Sequence, residues 1–353
     1  MKRLTVAAIT GTRADFGILR PVLEKIAAHP GMELFLIVVG MHLSNEFGST
    51  IKEIEESGLK VSARLDNLNE DDTGAGMARY IGRCIQGFSD LFAENDIDVL
   101  ILLGDRGEML AGAIVASCMN ILIAHIHSGE SSGSVDEGFR HAISKLSHIF
   151  FTATERGKER LIDLREDPSR IYIVGAPGLD GIQENLIPKE SLEEIYRLDL
   201  SKPTILLVQH PVVTEFEDTP RQIKAVLDAI SELRIQTIVI HPNADAGGRI
   251  IIEKIKVYAE EHPFLHSYVS LPRIDYLSLL GAVTVMVGNS SSGIIEAPSF
   301  GLPVVNVGTR QKGRLRAGNV LDVDYDKEQI KNALIRSMQD EKFRKELAGL
   351  TNP

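Results

Sequence analysis

At 353 residues the chain is too long for one hydrophobic core and suits two domains of ordinary size, and its 44% hydrophobic and 25% charged content is that of a soluble globular protein. A formal net charge of −11 argues against nucleic acid or an anionic membrane surface as partner. It leaves room for a small anionic substrate held by a few local arginines.

Cys84 and Cys118 lie in apolar helical surroundings and read as buried, reduced thiols. The start, Met1-Lys2-Arg3 and a short apolar run, is no secretory signal, because Arg13 and Asp15 follow at once. No apolar run approaches the ~18 residues that span a bilayer. The expectation is a cytoplasmic protein.

In chain order, strand-like and helix-like stretches alternate almost throughout, which predicts an α/β fold with parallel sheets. The first half reads as strands at 4–10, 33–39, 61–65, 99–103, 121–126, 149–152 and 171–174. Helices fall at 18–28, 73–94, 108–118, 136–146 and 154–164. The segment Gly175-Ala176-Pro177-Gly178 is rich in residues that end regular structure and reads as a hinge. A second series follows, with strands at 204–208, 237–240, 266–269, 283–287 and 303–307. Its helices fall at 219–232, 249–261, 274–280, 326–338 and 341–349. The expected assembly is two doubly wound, Rossmann-like domains, residues 1–175 and 176–340, facing a cleft. Ligands of such sheets bind at the carboxyl ends of the strands, so the loops there carry the function.

The first such loop, GTRADFG at 11–17, is not the GxGxxG fingerprint, which argues against a nicotinamide or flavin cofactor. Arg13 there suits phosphate or sugar recognition; the plain alternative is an exposed arginine beside a capping Asp15. In GDRGE, 104–108, Asp105 stands at a strand end beside a helix start, as a cap or as a general acid or base. HIHSGE, 125–130, places His125 and His127 at a strand end, with Glu130 and Asp136 following. Two readings stand: a His-x-His metal site, or a metal-free cluster in which Asp105, Glu130 and Asp136 raise one another's proton affinity. A structural role in the wall of the site fits His125 better than His127.

In the second half His210 and His241 each follow a parallel strand, with Asn243 close behind. The organising stretch is 285–314, VMVGNSSSGIIEAPSFGLPVVNVGTRQKGR. Strand, small polar turn and helix point free N–H groups and serine hydroxyls at an anion. Ser290 and Ser291 supply hydroxyls, and Glu296 could accept both hydroxyls of a ribose. Arg310, Lys312, Arg314 and Arg316 could neutralise a diphosphate. A serine-rich cap beside a solvated basic loop is the plain alternative. Tyr276 and Phe300 read as core residues.

Taken together, GTRADFG, GDRGE, HIHSGE with SGSVDE and RHAISKLSHIFF, QHPVVTE, HPNADAG and GNSSSGIIEAPSFGLPVVNVGTRQKGR resemble the UDP-N-acetylglucosamine 2-epimerase family, over residues 4 to about 322. The non-hydrolysing branch carries GTRPE and an HRRE-type sequence where this chain has GTRADFG and QHPVVTE, so the resemblance is to the hydrolysing branch, which serves sialic-acid-type nonulosonate synthesis. The resemblance implies the glycosyltransferase-B architecture, with a C-terminal helix, 341–353, that commonly crosses back to the first domain. It implies removal of the C2 proton as the nucleoside diphosphate leaves C1, then addition of water to the glycal with inversion at C2. The product would be N-acetylmannosamine or a relative such as a diacetamido sugar, made without metal or cofactor.

Carried over, Asp105, Glu130 and Asp136, with His127 behind them, are the acid/base candidates. Arg13, His210, Asn243, Ser290, Ser291, Glu296 and Arg310 would hold the nucleotide. A homodimer is the common assembly. A retaining glycosyltransferase of the same fold is the main rival, and a metallohydrolase or a nucleotide-sugar sensor the others.

Overall fold

The computed structural model describes residues 3–68, 71–347 and 349–352. The chain divides into two units, Met1–Asp180 and Gly181–Pro353. In the first, seven parallel strands are β1 (Leu4–Thr10), β2 (Met32–Val39), β3 (Val61–Leu65), β4 (Val99–Leu103), β5 (Leu122–Ile126), β6 (Ile149–Thr152) and β7 (Ile171–Ile173). Its helices are α1 (Arg13–Ala28), α2 (Ile51–Glu56), α3 (Gly74–Glu94), α4 (Gly107–Cys118), α5 (Val135–Leu146) and α6 (Glu155–Asp163). The second unit has six, β8 (Thr204–Val208), β9 (Gln236–Ile240), β10 (Leu265–Tyr268), β11 (Val285–Gly288), β12 (Val304–Val307) and β13 (Val320–Val323). Its helices are α7 (Lys189–Tyr196), α8 (Thr219–Leu233), α9 (Gly248–Glu261), α10 (Arg273–Ala282), α11 (Ser292–Ile295), α12 (Lys327–Gln339) and α13 (Glu341–Leu347).

Strand order is β3-β2-β1-β4-β5-β6-β7 in one sheet and β10-β9-β8-β11-β12-β13 in the other. Both are Rossmann-like, and both reverse direction of winding once, between β1 and β4 and between β8 and β11. Those two switch points are where an open α/β sheet leaves a crevice at its carboxyl edge.

The apolar strands form buried parallel sheet because both faces are covered. In the first sheet successive residues go to opposite faces. Ala7, Ile9, Leu100 and Leu102 pack under α3 and α4, whereas Val6, Ala8, Ile101 and Leu103 pack under α1. In the second, Ile205, Leu207, Val285, Val287, Val305 and Val307 share one core with α8, α9 and α12.

Several features differ from expectation for physical reasons. Helix α1 starts at Arg13, five residues before the expected start, because Thr12 and Asp15 form a reciprocal capping box. Strand β13, four residues with Asp322 in the middle, has too short an apolar run to be read as a strand. Cys84 is buried as expected, but Cys118, at the end of α4, is exposed.

The segment 175–178 contributes to a short 3-10 turn, Pro177–Leu179, which packs against α1. The last helix lies with the second unit: the Leu347 carbonyl sits beside Gly301, and Asn352 donates to Ser299 Oγ at 2.6 Å. Among the described residues no helix is long and apolar enough to cross a membrane.

Candidate active site

In the first unit, the loops after β1, β2, β4 and β5 are held by buried polar groups. Thr12 caps α1, and the backbone N–H groups of Gly11 and of Thr12 itself donate to the Asp15 carboxylate at 3.3 and 2.8 Å. Burial pushes the Asp15 carboxyl up, against the pull of the Thr10 hydroxyl that donates to it. Thr10 Oγ in turn lies 2.9 Å from His42 Nε2, and His42 Nδ1 lies 2.8 Å from Thr50 Oγ. Burial lowers the His42 pKa to about 4, so the ring is neutral at pH 7 and passes its one N–H to Thr10. Arg13 is therefore the first residue of a tightly seated helix, half-buried rather than dangling.

Asp105 directly precedes the N-cap of α4, Arg106, whose own side chain makes no cap bond. The Asp105 carboxylate accepts from Arg140 Nη2, while Arg140 Nη1 donates to the His127 carbonyl at 2.7 Å. The Arg140 side chain is 3% exposed and that of Asp105 18%, so the pair is largely desolvated but open on the carboxylate side. Removing one partner from a pair so buried typically costs about 3–5 kcal/mol.

Arg140 lies four residues after Asp136 in α5, which puts the two on one helix face. Ser134, the N-cap of α5, donates its hydroxyl to Asp136 at 2.7 Å. Glu130 lies beside the start of α6, where Thr154 Oγ donates to it at 3.4 Å. Each carboxylate thus has a polar partner, and for Asp105 that partner is a guanidinium.

The two histidines of HIHSGE part company. His125 is fully buried, its Nε2 donating to the Gly104 carbonyl at 2.7 Å and its Nδ1 accepting from Ser144 Oγ at 3.1 Å. Burial pushes its pKa down to about 4, and it holds the backbone just before Asp105. His127 lies beyond β5 in a left-handed turn, φ 57°. With both His125 nitrogens engaged, the His-x-His reading has no geometry behind it. Among the described residues no group of three or more His, Cys, Asp and Glu side chains is arranged to hold a metal ion.

In the second unit, Gly288 ends β11 with φ 123°, and a β-carbon there would collide with the Val208 carbonyl. That close approach brings the serine turn beside the β8 loop. Asn289 accepts the His210 N–H at 2.7 Å through Oδ1 and donates to the His210 carbonyl at 2.8 Å through Nδ2. His210 Nδ1 lies 3.5 Å from the Asn243 N–H, and Arg310 Nη1 donates to the Asn289 carbonyl at 3.2 Å. His210, Asn243, Ser290 and Arg310 are therefore neighbours at the β8–β11 switch point.

His241 is not among them. Its Nε2 meets Ser267 Oγ at 2.8 Å, and burial lowers its pKa to about 4.

Other expectations need adjustment. The helix after the serine turn, α11, has only four residues, so its dipole is a single turn's worth and the turn's own N–H and hydroxyl groups carry the anion argument. Glu296 is buried and paired with Arg273 Nη1 at 2.8 Å. Tyr276, read as core, donates its hydroxyl to Ser292 Oγ at 2.7 Å. The basic loop divides: Arg310 turns to Asn289, whereas Lys312 and Arg316 line a cavity of about 440 Å³ with Thr309, Asp322 and Asp324.

Sequence reading missed Arg140, Arg273 and Gln311. Only Arg140 left a local signal, its spacing of four from Asp136.

Residues 24–353 match the family model described as UDP-N-acetylglucosamine 2-epimerase. A Legionella pneumophila protein named UDP-N,N'-diacetylbacillosamine 2-epimerase (hydrolyzing) is 42% identical, over 95% of this chain and 89% of its own length. A Neisseria meningitidis UDP-N-acetylglucosamine 2-epimerase is 38% identical, over 97% of this chain and 89% of its own. Among solved structures, a Neisseria meningitidis UDP-GlcNAc 2-epimerase bound to UDP-GlcNAc superposes with a TM-score of 0.83 at 17% identity, covering 99% of this chain and 95% of that one. At that identity the likeness speaks for the fold.

Proposed function

Because the chain belongs to the UDP-N-acetylglucosamine 2-epimerase family, in its hydrolysing branch, we propose that it converts a UDP-linked 2-acetamido sugar and water into the free C2 epimer and UDP. A carboxylate removes the C2 proton while the C1–oxygen bond to the diphosphate breaks, leaving a C1=C2 double bond. Water then adds its oxygen to C1, and a proton returns to C2 from the opposite face. The C2 hydrogen is weakly acidic, so departure of the diphosphate has to be stabilised by groups already in place.

The observation that carries this reading is the Asp105–Arg140 pair, with Asp136 on the same face of α5. It supports one carboxylate held against a fixed cation and another one helical turn from that cation's residue, a pair of the kind that proton removal and return require. Asp105, Asp136 and Glu130 are the acid/base groups of this proposal, with His127 behind them. Arg13, His210, Asn243, Ser290, Ser291, Glu296 and Arg310 bind the nucleotide; Glu296 reaches the ribose while Arg273 holds its carboxylate in place.

Two sugars fit. N-acetylglucosamine, giving N-acetylmannosamine, follows from the family's name. A 2,4-diacetamido-trideoxy sugar is favoured by the likeness to the Legionella protein, which is named for that substrate.

Incubation with UDP-N-acetylglucosamine and UDP-N,N'-diacetylbacillosamine in deuterated water, followed by NMR of the released sugar, tests the reading. The expected result is one deuterium at C2 of an epimerised free sugar from one of the two. Release of the sugar without label at C2 would mean simple hydrolysis and end the proposal.

A further inference from the structure

Four of the residues proposed to bind the nucleotide come from four different loops, and each loop is mobile on its own unless something sets its distance from the others. Asn289 is placed to do that. It is fully buried, and its side-chain amide pairs with both backbone groups of His210, extending the β8–β11 pairing one residue beyond Gly288. Its own N–H donates to the Val208 carbonyl at 3.1 Å. Its carbonyl accepts from Arg310 Nη1 at 3.2 Å and from Gln311 Nε2 at 2.7 Å.

Gln311 is 1% exposed, and its Oε1 has no hydrogen-bond partner. A buried amide with an unsatisfied oxygen is costly, and an apolar side chain of the same length would fit the space without that cost. A position that nevertheless holds glutamine is explained by what its N–H₂ group does, which is to hold the Asn289 carbonyl from the β12 loop. The Arg316 guanidinium, donating to the Gln311 carbonyl at 3.0 Å, fixes the other end.

We propose that Asn289 and Gln311 are positioning residues: without touching the ligand, they set the spacing of His210, Ser290 and Arg310 and thereby the affinity for a nucleoside diphosphate. This rests on the reading of these loops as the diphosphate site. Diphosphate oxygens are rigidly spaced, so donors displaced by even half an ångström forfeit part of each bond.

The test uses the full chain and UDP as probe. Gln311→Met keeps the buried volume and removes the donor. Its expected UDP affinity is about tenfold lower by calorimetry, with KM raised and kcat within twofold, while its Tm without ligand is unchanged or higher because the orphaned oxygen is gone. Asn289→Ser should weaken UDP in the same way.

Arg310→Ala combined with Gln311→Met should lose less than the sum of the two single losses, because part of what Gln311 does is to place Arg310 through the shared Asn289 carbonyl. Wild-type UDP affinity in Gln311→Met, a fall in Tm with affinity kept, or additive losses in the double variant would each overturn the inference. Failure of the underlying reading looks different: the wild-type protein would then not bind UDP, or would bind it equally well with Arg310→Ala.

Discussion

At the carboxyl ends of β1, β4 and β5 the groups that hold the loops are ionisable: Asp15 with Thr12, Glu108 with Arg106 at 2.7 Å, Asp105 with Arg140, and His125 with Gly104. At the ends of β8, β11 and β12 the side-chain ties are made by neutral amides, Asn289 to His210 and Gln311 to Asn289, and by guanidinium groups that stay charged at any working pH, Arg310 to Asn289 and Arg316 to Gln311. The two sheets have the same switch-point plan, so the difference lies in side-chain chemistry and not in backbone topology. Fixed charges keep a proton-transferring group in a defined state, which is useful where protons move. Amides hold geometry regardless of pH, which is useful where an anion is only to be gripped. The division parallels the proposed roles, acid/base work in the first unit and, Arg13 apart, nucleotide binding in the second.

The sharpest way to break the comparison is to neutralise the carboxylates. Asp105→Asn, Glu130→Gln and Asp136→Asn should each lower kcat by at least 10²-fold, about 2.7 kcal/mol of transition-state stabilisation, with UDP affinity within a few-fold of wild type. Steady-state kinetics beside UDP calorimetry separates the two effects. If all three variants turned over normally, the first unit's charges would be structural. If UDP binding fell with kcat, the division between the units would go.

How much of this could be read from the chain before its fold was known depends on the range of the interaction. Strands such as β4 and β8 were legible because a buried parallel strand is an unbroken apolar run, VLILL and TILLV. The loops after them follow directly, which is why Asp105, His210 and Ser290 could be singled out. The start of α1 carried its signal in Thr12 and Asp15 at capping-box spacing, with aspartate in the place of the usual glutamate, although the apolar run alone suggests a start at 18. Partnerships across the fold carry none. Arg140 meets Asp105 from 35 residues away, and Asn289 meets His210 from 79. No periodicity encodes such pairs, so the guanidinium that sits against Asp105 could not be foreseen.

A middle-sized effect comes from His125. Its folded pKa of about 4 lies below the 6.5 of a free imidazole, so the unfolded chain takes up a proton that the folded chain refuses. Stability is therefore complete above about pH 6.5 and declines as pH falls toward 4. Between pH 7 and pH 5 one such residue accounts for about 2 kcal/mol. His42 in the same unit and His241 in the second shift in the same direction. His125→Asn keeps a donor for the Gly104 carbonyl and removes the titration. Denaturant unfolding at the two pH values should show a gap about 2 kcal/mol narrower than in wild type. An undiminished gap would move the acid sensitivity elsewhere.

The smallest effect, and the most telling about the second unit, is expected from Ser290→Ala. Ser290 is half-buried, so in its absence water can reach the phosphate and replace part of the lost hydrogen bond. A hydroxyl bonded to a charged acceptor is worth about 1.5–3 kcal/mol when nothing replaces it, and partial replacement brings the loss nearer 1 kcal/mol, about fivefold in UDP affinity. The loss should be the same at pH 6.5 and pH 8, because no titrating group is removed, and kcat at saturating substrate should stay within twofold. A fall in kcat comparable to that of Asp105→Asn would place the serine turn in the chemical step, where leaving-group stabilisation and not ground-state grip sets the rate. The amide-held loops would then belong to catalysis as much as the charged ones, and the contrast between the two sheets would reflect how each is built and not what each does.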